Sequence, residues 1–88
     1  MRIVGTFTIR EVLDEIVAIP AGDALSRFSG IISLNPVGKF IFECLATEQT
    51  EESLLAAVLA EYEVDEATAA KDLKEILAVL REHCLLVE

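Results

Sequence analysis

The dipeptide Asn35-Pro36 divides this chain into two halves that cannot share one kind of secondary structure. Asn is favoured at a helix N-cap, where its side-chain oxygen accepts from a free amide of the first turn. Pro fits the first helical position, because its missing N–H would be unpaired there anyway. A helix therefore starts here. Beyond this point apolar residues recur at helical spacing; before it they alternate or run in short groups broken by turn residues. A chain of 88 residues closes around one core and buries only roughly 60–65% of the surface it exposes when unfolded. The expectation is one α+β domain over residues 1–88, with little room for a deep active-site cavity.

In the first half, Phe7-Thr8-Ile9-Arg10 alternates apolar and polar residues and reads as a strand running to about Val12. Asp14-Glu15 breaks it. Ile16-Val17-Ala18-Ile19 reads as a second strand stopped by Pro20, which cannot donate to a ladder. Two strands so close in sequence predict an antiparallel hairpin. Residues 21–29 read as a loop whose Leu25 and Phe28 fold back onto the core. Gly30-Ile31-Ile32-Ser33-Leu34 reads as a third strand, so the sheet precedes all the helices.

Three helices follow. The first runs from the Asn35 cap to about Ala46, with Val37, Phe40, Ile41, Cys44 and Leu45 at helical spacing. Thr50 caps the second, and Glu51 and Glu52 complement the positive end of its dipole. Its apolar face is Leu54, Leu55, Val58, Leu59 and Tyr62. Asp65 caps the third, which extends to about His83 and is followed by an extended Leu85-Leu86-Val87 tail.

The net charge is −9, from sixteen acidic and seven basic residues. Nucleic-acid binding rests on neutralising phosphates with Lys and Arg, so neither a nucleic acid nor an anionic membrane is expected as partner. Met1 to Gly5 holds one basic residue and no sustained apolar stretch, and no apolar run approaches the ~20 residues that cross a bilayer. A cytoplasmic location is expected. Cys44 and Cys84 lie in apolar helical stretches outside any C-x-x-C pair, and His83 is the only histidine. Both thiols read as small buried hydrophobes, so neither a metal nor a cofactor is expected. Phosphate-binding, dinucleotide, zinc-protease and serine-nucleophile motifs are all missing, and Glu43–Cys44 and Glu82–His83 are neighbours whose side chains diverge by about 100° on a helix. Catalytic residues are not expected, and neither is an enzyme.

On a helical wheel of the last helix, Ala69, Leu73, Ile76, Leu80 and Cys84 form the core stripe, with Leu77 and Ala70 at one margin. Beyond that margin Lys71, Lys74, Ala78 and Arg81 make a line holding three of the seven basic residues. One reading is a solvated face supported by a Lys71–Glu75 pair. The other is an apolar ledge bordered by cations, suited to an extended peptide with apolar anchors and acidic residues. The third strand favours the second reading. Residues 30–34 carry no Pro, Lys or Arg to discourage pairing at a sheet edge, and their alternation sends Ile31 and Ser33 away from the face of Ile32 and Leu34. A competing arrangement packs Ile31 under the loop that carries Phe28.

The order of strand hairpin, third strand ending in Leu34-Asn35 and three capped helices resembles the PqqD family of peptide-recognition domains in ribosomal peptide biosynthesis. Gly30 to Leu45 carries the most specific part of the likeness, followed by Thr50-Glu51-Glu52, Glu61 to Asp65, Leu80-Arg81-Glu82 and Leu85-Leu86. Two positions depart from it: Cys84, preceded by His83, stands near where many members carry Gly, and Phe42 where many carry Trp. The resemblance implies a winged helix-turn-helix fold with an N-terminal three-stranded antiparallel sheet. It also implies a leader peptide docked antiparallel to the third strand, against the last helix. Carried onto this sequence, the peptide-binding positions are Gly30, Ile31, Ile32, Ser33, Leu34, Lys71, Lys74, Leu77, Ala78 and Arg81. The implied partners are a precursor peptide and a modifying enzyme such as a radical SAM maturase or a peptidase.

Two other classes of function compete. A winged-helix DNA regulator would need a basic recognition helix, and the segment from Thr50 to Tyr62 has no Lys or Arg. A structural subunit could form a homodimer by pairing its open strand edge with a second copy.

Overall fold

Helix caps set the frame of the helical half. In the computed structural model, which describes residues 1–88, Asn35 Oδ1 accepts from the Gly38 amide at 2.6 Å and opens α2, Pro36–Cys44. Thr50 opens α3, Glu51–Glu61, in a reciprocal box: its hydroxyl accepts from Ser53 N–H, and Ser53 Oγ accepts from Thr50 N–H. Asp65 opens α4, Glu66–Glu82. The amide and the hydroxyl of Thr68 both donate to Asp65, and these bonds hold its carboxyl below the usual range. All three caps stand where the sequence predicts them.

The sheet half holds more than expected. β1 (Arg2–Ile3) precedes the hairpin of β2 (Thr6–Val12) and β3 (Glu15–Ala21). The five-residue helix α1, Asp23–Arg27, occupies the expected loop, and β4 is Ile32–Leu34. The strand order is β2-β3-β4, all antiparallel. β3 does not stop at Pro20 but passes through it to Ala21, opposite Phe7 and Thr6. β4 pairs with β3 only from Ile16 to Ala18, so at Pro20 the sheet is two strands wide and proline sits at an edge. Leu25, expected to fold inward, is 52% exposed, whereas Phe28 does pack on the core and stacks on His83 with ring centroids 4.3 Å apart.

One face of the sheet meets the helices. Ala18, Ile32 and Leu34 join Ile41, Phe42, Leu45, Leu54, Val58, Ala69, Leu73, Ile76, Leu77, Leu80 and Leu85 in one continuous core. Phe7 meets Phe42 edge to face at 4.9 Å, so the phenyl ring closes the space between β2 and α2.

α4 ends in a left-handed turn. Cys84 has φ 56°, its amide donates to Arg81 C=O at 3.0 Å, and the Leu85 amide donates to Leu80 C=O at 2.8 Å. This pairing terminates the helix in a Schellman turn, whose left-handed position favours glycine. The core stripe therefore closes on Leu80 and Leu85, and Cys84, expected to be buried, is exposed. Cys84→Gly removes a strained Cβ without removing packing, and is expected to stabilise the fold by about 1 kcal/mol in urea denaturation. A lowered midpoint would contradict that account of the turn.

The tail β5, Leu86–Val87, pairs antiparallel with β1, Arg2 opposite Val87 and Ile3 opposite Leu86. Val4 N–H donates to Leu85 C=O at 2.7 Å and Ile3 N–H to Leu45 C=O at 2.9 Å, which fastens this clasp to the end of α2.

Candidate functional site

β4 is an edge strand. It has β3 on one side and no strand on the other, because the tail goes to β1. Its ladder sets Ile32 opposite Ala18 and Leu34 opposite Ile16, and no backbone bond ties Ile31 or Asn35 to β3. Antiparallel pairing exposes backbone groups at every second residue, so Ser33 and Ile31 turn their N–H and C=O away from β3. Of the five positions expected to form the third strand, Gly30 and Ile31 precede the ladder unpaired. Side chains alternate as the sequence predicts: Ile32 is 5% exposed and Ile31 58%, so Ile31 does not pack beneath Phe28. Instead the Phe28 ring comes down over Gly30, where an added Cβ would lie 2.9 Å from the ring edge.

Beside this edge runs a groove of about 210 Å³, open to solvent, between β4 and α4. Ser33, Leu34, Asn35 and Gly38 form one wall; Asp72, Glu75, Ile76 and Val79 of α4 form the other. The absence of a side chain at Gly38 leaves room for the capping oxygen of Asn35, which an added Cβ would approach to 3.1 Å. A larger concavity of about 520 Å³ lies away from this edge, among Arg2, Ile3, Phe7, Phe42 and Ala46.

None of the α4 residues expected to face a peptide lines this groove. Leu77 is 0% exposed and belongs to the core, so it forms no ledge. Lys74 lines a shallow apolar dip with Ala70, Leu73, Glu51, Glu52 and Leu55, on the side of α4 that faces α3. Arg81 pairs with Glu51 of α3 at 3.3 Å and with Glu88 at 2.9 Å. Lys71 and Ala78 are exposed, and neither lines the groove. The Lys71–Glu75 ion pair is not formed: none of the chain's ion pairs uses either residue. A wheel separates the faces of a helix but does not say which neighbour each face meets. The groove face lay on the other margin of the core stripe, legible only as Asp72, Glu75, Ile76 and Val79 at spacings of three and four.

No three His, Cys, Asp or Glu side chains converge as metal ligands would. Cys44 is half-buried, and burial, with Glu43 and Glu61 nearby, pushes its thiol up, away from the reactive thiolate. No helix is long and apolar enough to cross a membrane.

Comparison with known proteins agrees with this architecture. Residues 15–86 match the family model described as Coenzyme PQQ synthesis protein D (PqqD). A solved structure of TbiB1 in complex with the TbiA(beta) leader peptide is similar over 98% of this chain and 94% of that one, at 28% identity and a TM-score of 0.67. No curated protein sequence matches.

Proposed function

This chain belongs to the PqqD family, and we propose that it binds the leader segment of a ribosomally made precursor peptide by adding the leader as a strand on the open side of β4. The observation that carries this reading is the free backbone edge at Ile31 and Ser33 beside the groove under α4. The similar TbiB1 fold, determined with a leader peptide, supports it. In strand addition, ladder bonds give affinity and pockets for alternate side chains give specificity. The contacts we assign are the backbone of Gly30 to Leu34 and the groove wall of Asp72, Glu75, Ile76 and Val79.

The role that follows is delivery in the cytoplasm, without catalysis by this chain. Held as a fourth strand, a leader leaves the rest of its precursor free for a modifying enzyme such as a radical SAM maturase or a peptidase. Hydrogen exchange tests the docking step. A leader peptide that binds the chain is expected to slow the amides of Ile31 and Ser33. Protection confined to the concavity lined by Phe7 and Phe42 would overturn the assignment. A second copy competes for the same edge, so a dimer that persists in light scattering when leader is added would also count against it.

A further inference from the structure

We infer that the strand bound at β4 carries a lysine or arginine on its groove side, two residues from an apolar anchor; this rests on the peptide-binding reading above. The wall supplied by α4 is half acidic and half apolar, Asp72 and Glu75 followed by Ile76 and Val79, and no Lys or Arg lines the groove. Both carboxylates are without a cationic partner, since the ion pairs in the chain engage Glu11, Glu48, Glu51 and Glu88. The nearby Lys39 is already committed to Glu11 at 3.3 Å, and Lys74 and Arg81 stand on the α3 side of the helix. A groove with two unneutralised carboxylates in a chain of net charge −9 repels an acidic peptide and attracts a basic one.

The spacing fits an extended chain. The acidic pair and the apolar pair are offset by four residues on α4, a rise of about 6 Å. A strand running along the helix advances about 6.7 Å for every two residues, the interval at which side chains return to the same face. One groove-facing residue therefore meets Asp72 and Glu75, and the next on that face meets Ile76 and Val79. The intervening residue points with Ser33, towards the outer face of the sheet.

The test uses short random peptides displayed on phage and selected on the immobilised full chain. Each recovered peptide is retitrated against a Ser33→Pro chain, to identify those that need the β4 edge, and against an Asp72→Asn/Glu75→Gln chain. Edge-dependent peptides are expected to carry Lys or Arg two residues from an apolar residue. They should bind the double variant about fivefold more weakly, as two partly exposed ion pairs allow. Edge-dependent peptides without a cation, or indifferent to the double variant, would overturn the inference and leave peptide binding standing. Recovery of no peptide sensitive to Ser33→Pro would overturn both.

Discussion

Ser33→Pro is expected to weaken binding of an edge-dependent peptide by at least about tenfold, the equivalent of one or two ladder bonds. Ser33 is the central residue of β4 and turns its N–H away from β3. Proline removes that donor and sets its ring where an incoming backbone must lie, while the bonds that Ile32 and Leu34 make to β3 stay intact. Edge strands tolerate proline when the missing N–H faces solvent, so the variant should fold. Unchanged circular dichroism with lost affinity in calorimetry is the expected pair of results. Lys74→Glu is the matched control: Lys74 lies against α3, so affinity should stay within about twofold despite the reversal of charge. Equal losses from both variants would mean that the peptide is held by the basic face of α4 rather than by the strand.

Leu77→Ala is expected to cost about 2–5 kcal/mol of stability and to lower the thermal midpoint by about 10–30 °C. Leu77 has no exposed surface, and its side chain sits in the core with Leu73, Leu80 and Leu85. Truncation leaves a cavity that close-packed neighbours fill only in part. Total stability for a domain of this size is about 5–15 kcal/mol, so the loss is a large share of it. Were Leu77 the surface ledge suggested by the wheel, the change would lie within about 0.5 kcal/mol. A differential scanning measurement with a shift of only a few degrees would therefore place Leu77 outside the core.

The parts of the fold that were legible in the sequence share one property: their cause is local. Asn35, Thr50 and Asp65 satisfy amides three residues away, and the alternation of Ile31 and Ile32 follows from the pleat of a single strand. What escaped depends on partners distant in the chain. β1 is two residues long, too short to show a period, and the extended tail expected over Leu85 to Val87 gave no sign of its pairing with β1. α1 has no side-chain cap, since its N-cap is Gly22 at φ 57°. Cys84 continues the spacing of the core stripe, and only the left-handed turn that ends α4 throws it out to solvent. For the candidate site, the strand edge could be read from residues 30–34. The wall opposite it could not, because which flank of α4 meets β4 is decided by the docking of α3 on the other flank.

The ladder of β4 is only three residues long. An added strand engages backbone groups at every other position, so the grip amounts to a few bonds, each worth about 0.5–1.5 kcal/mol net. Such a hold favours short residence: dissociation, far more than association, sets how long a strand stays put. Under the proposed delivery role, one precursor is surrendered before the next is accepted; brevity at this contact then serves the chain, and lengthening β4 would trade turnover for retention.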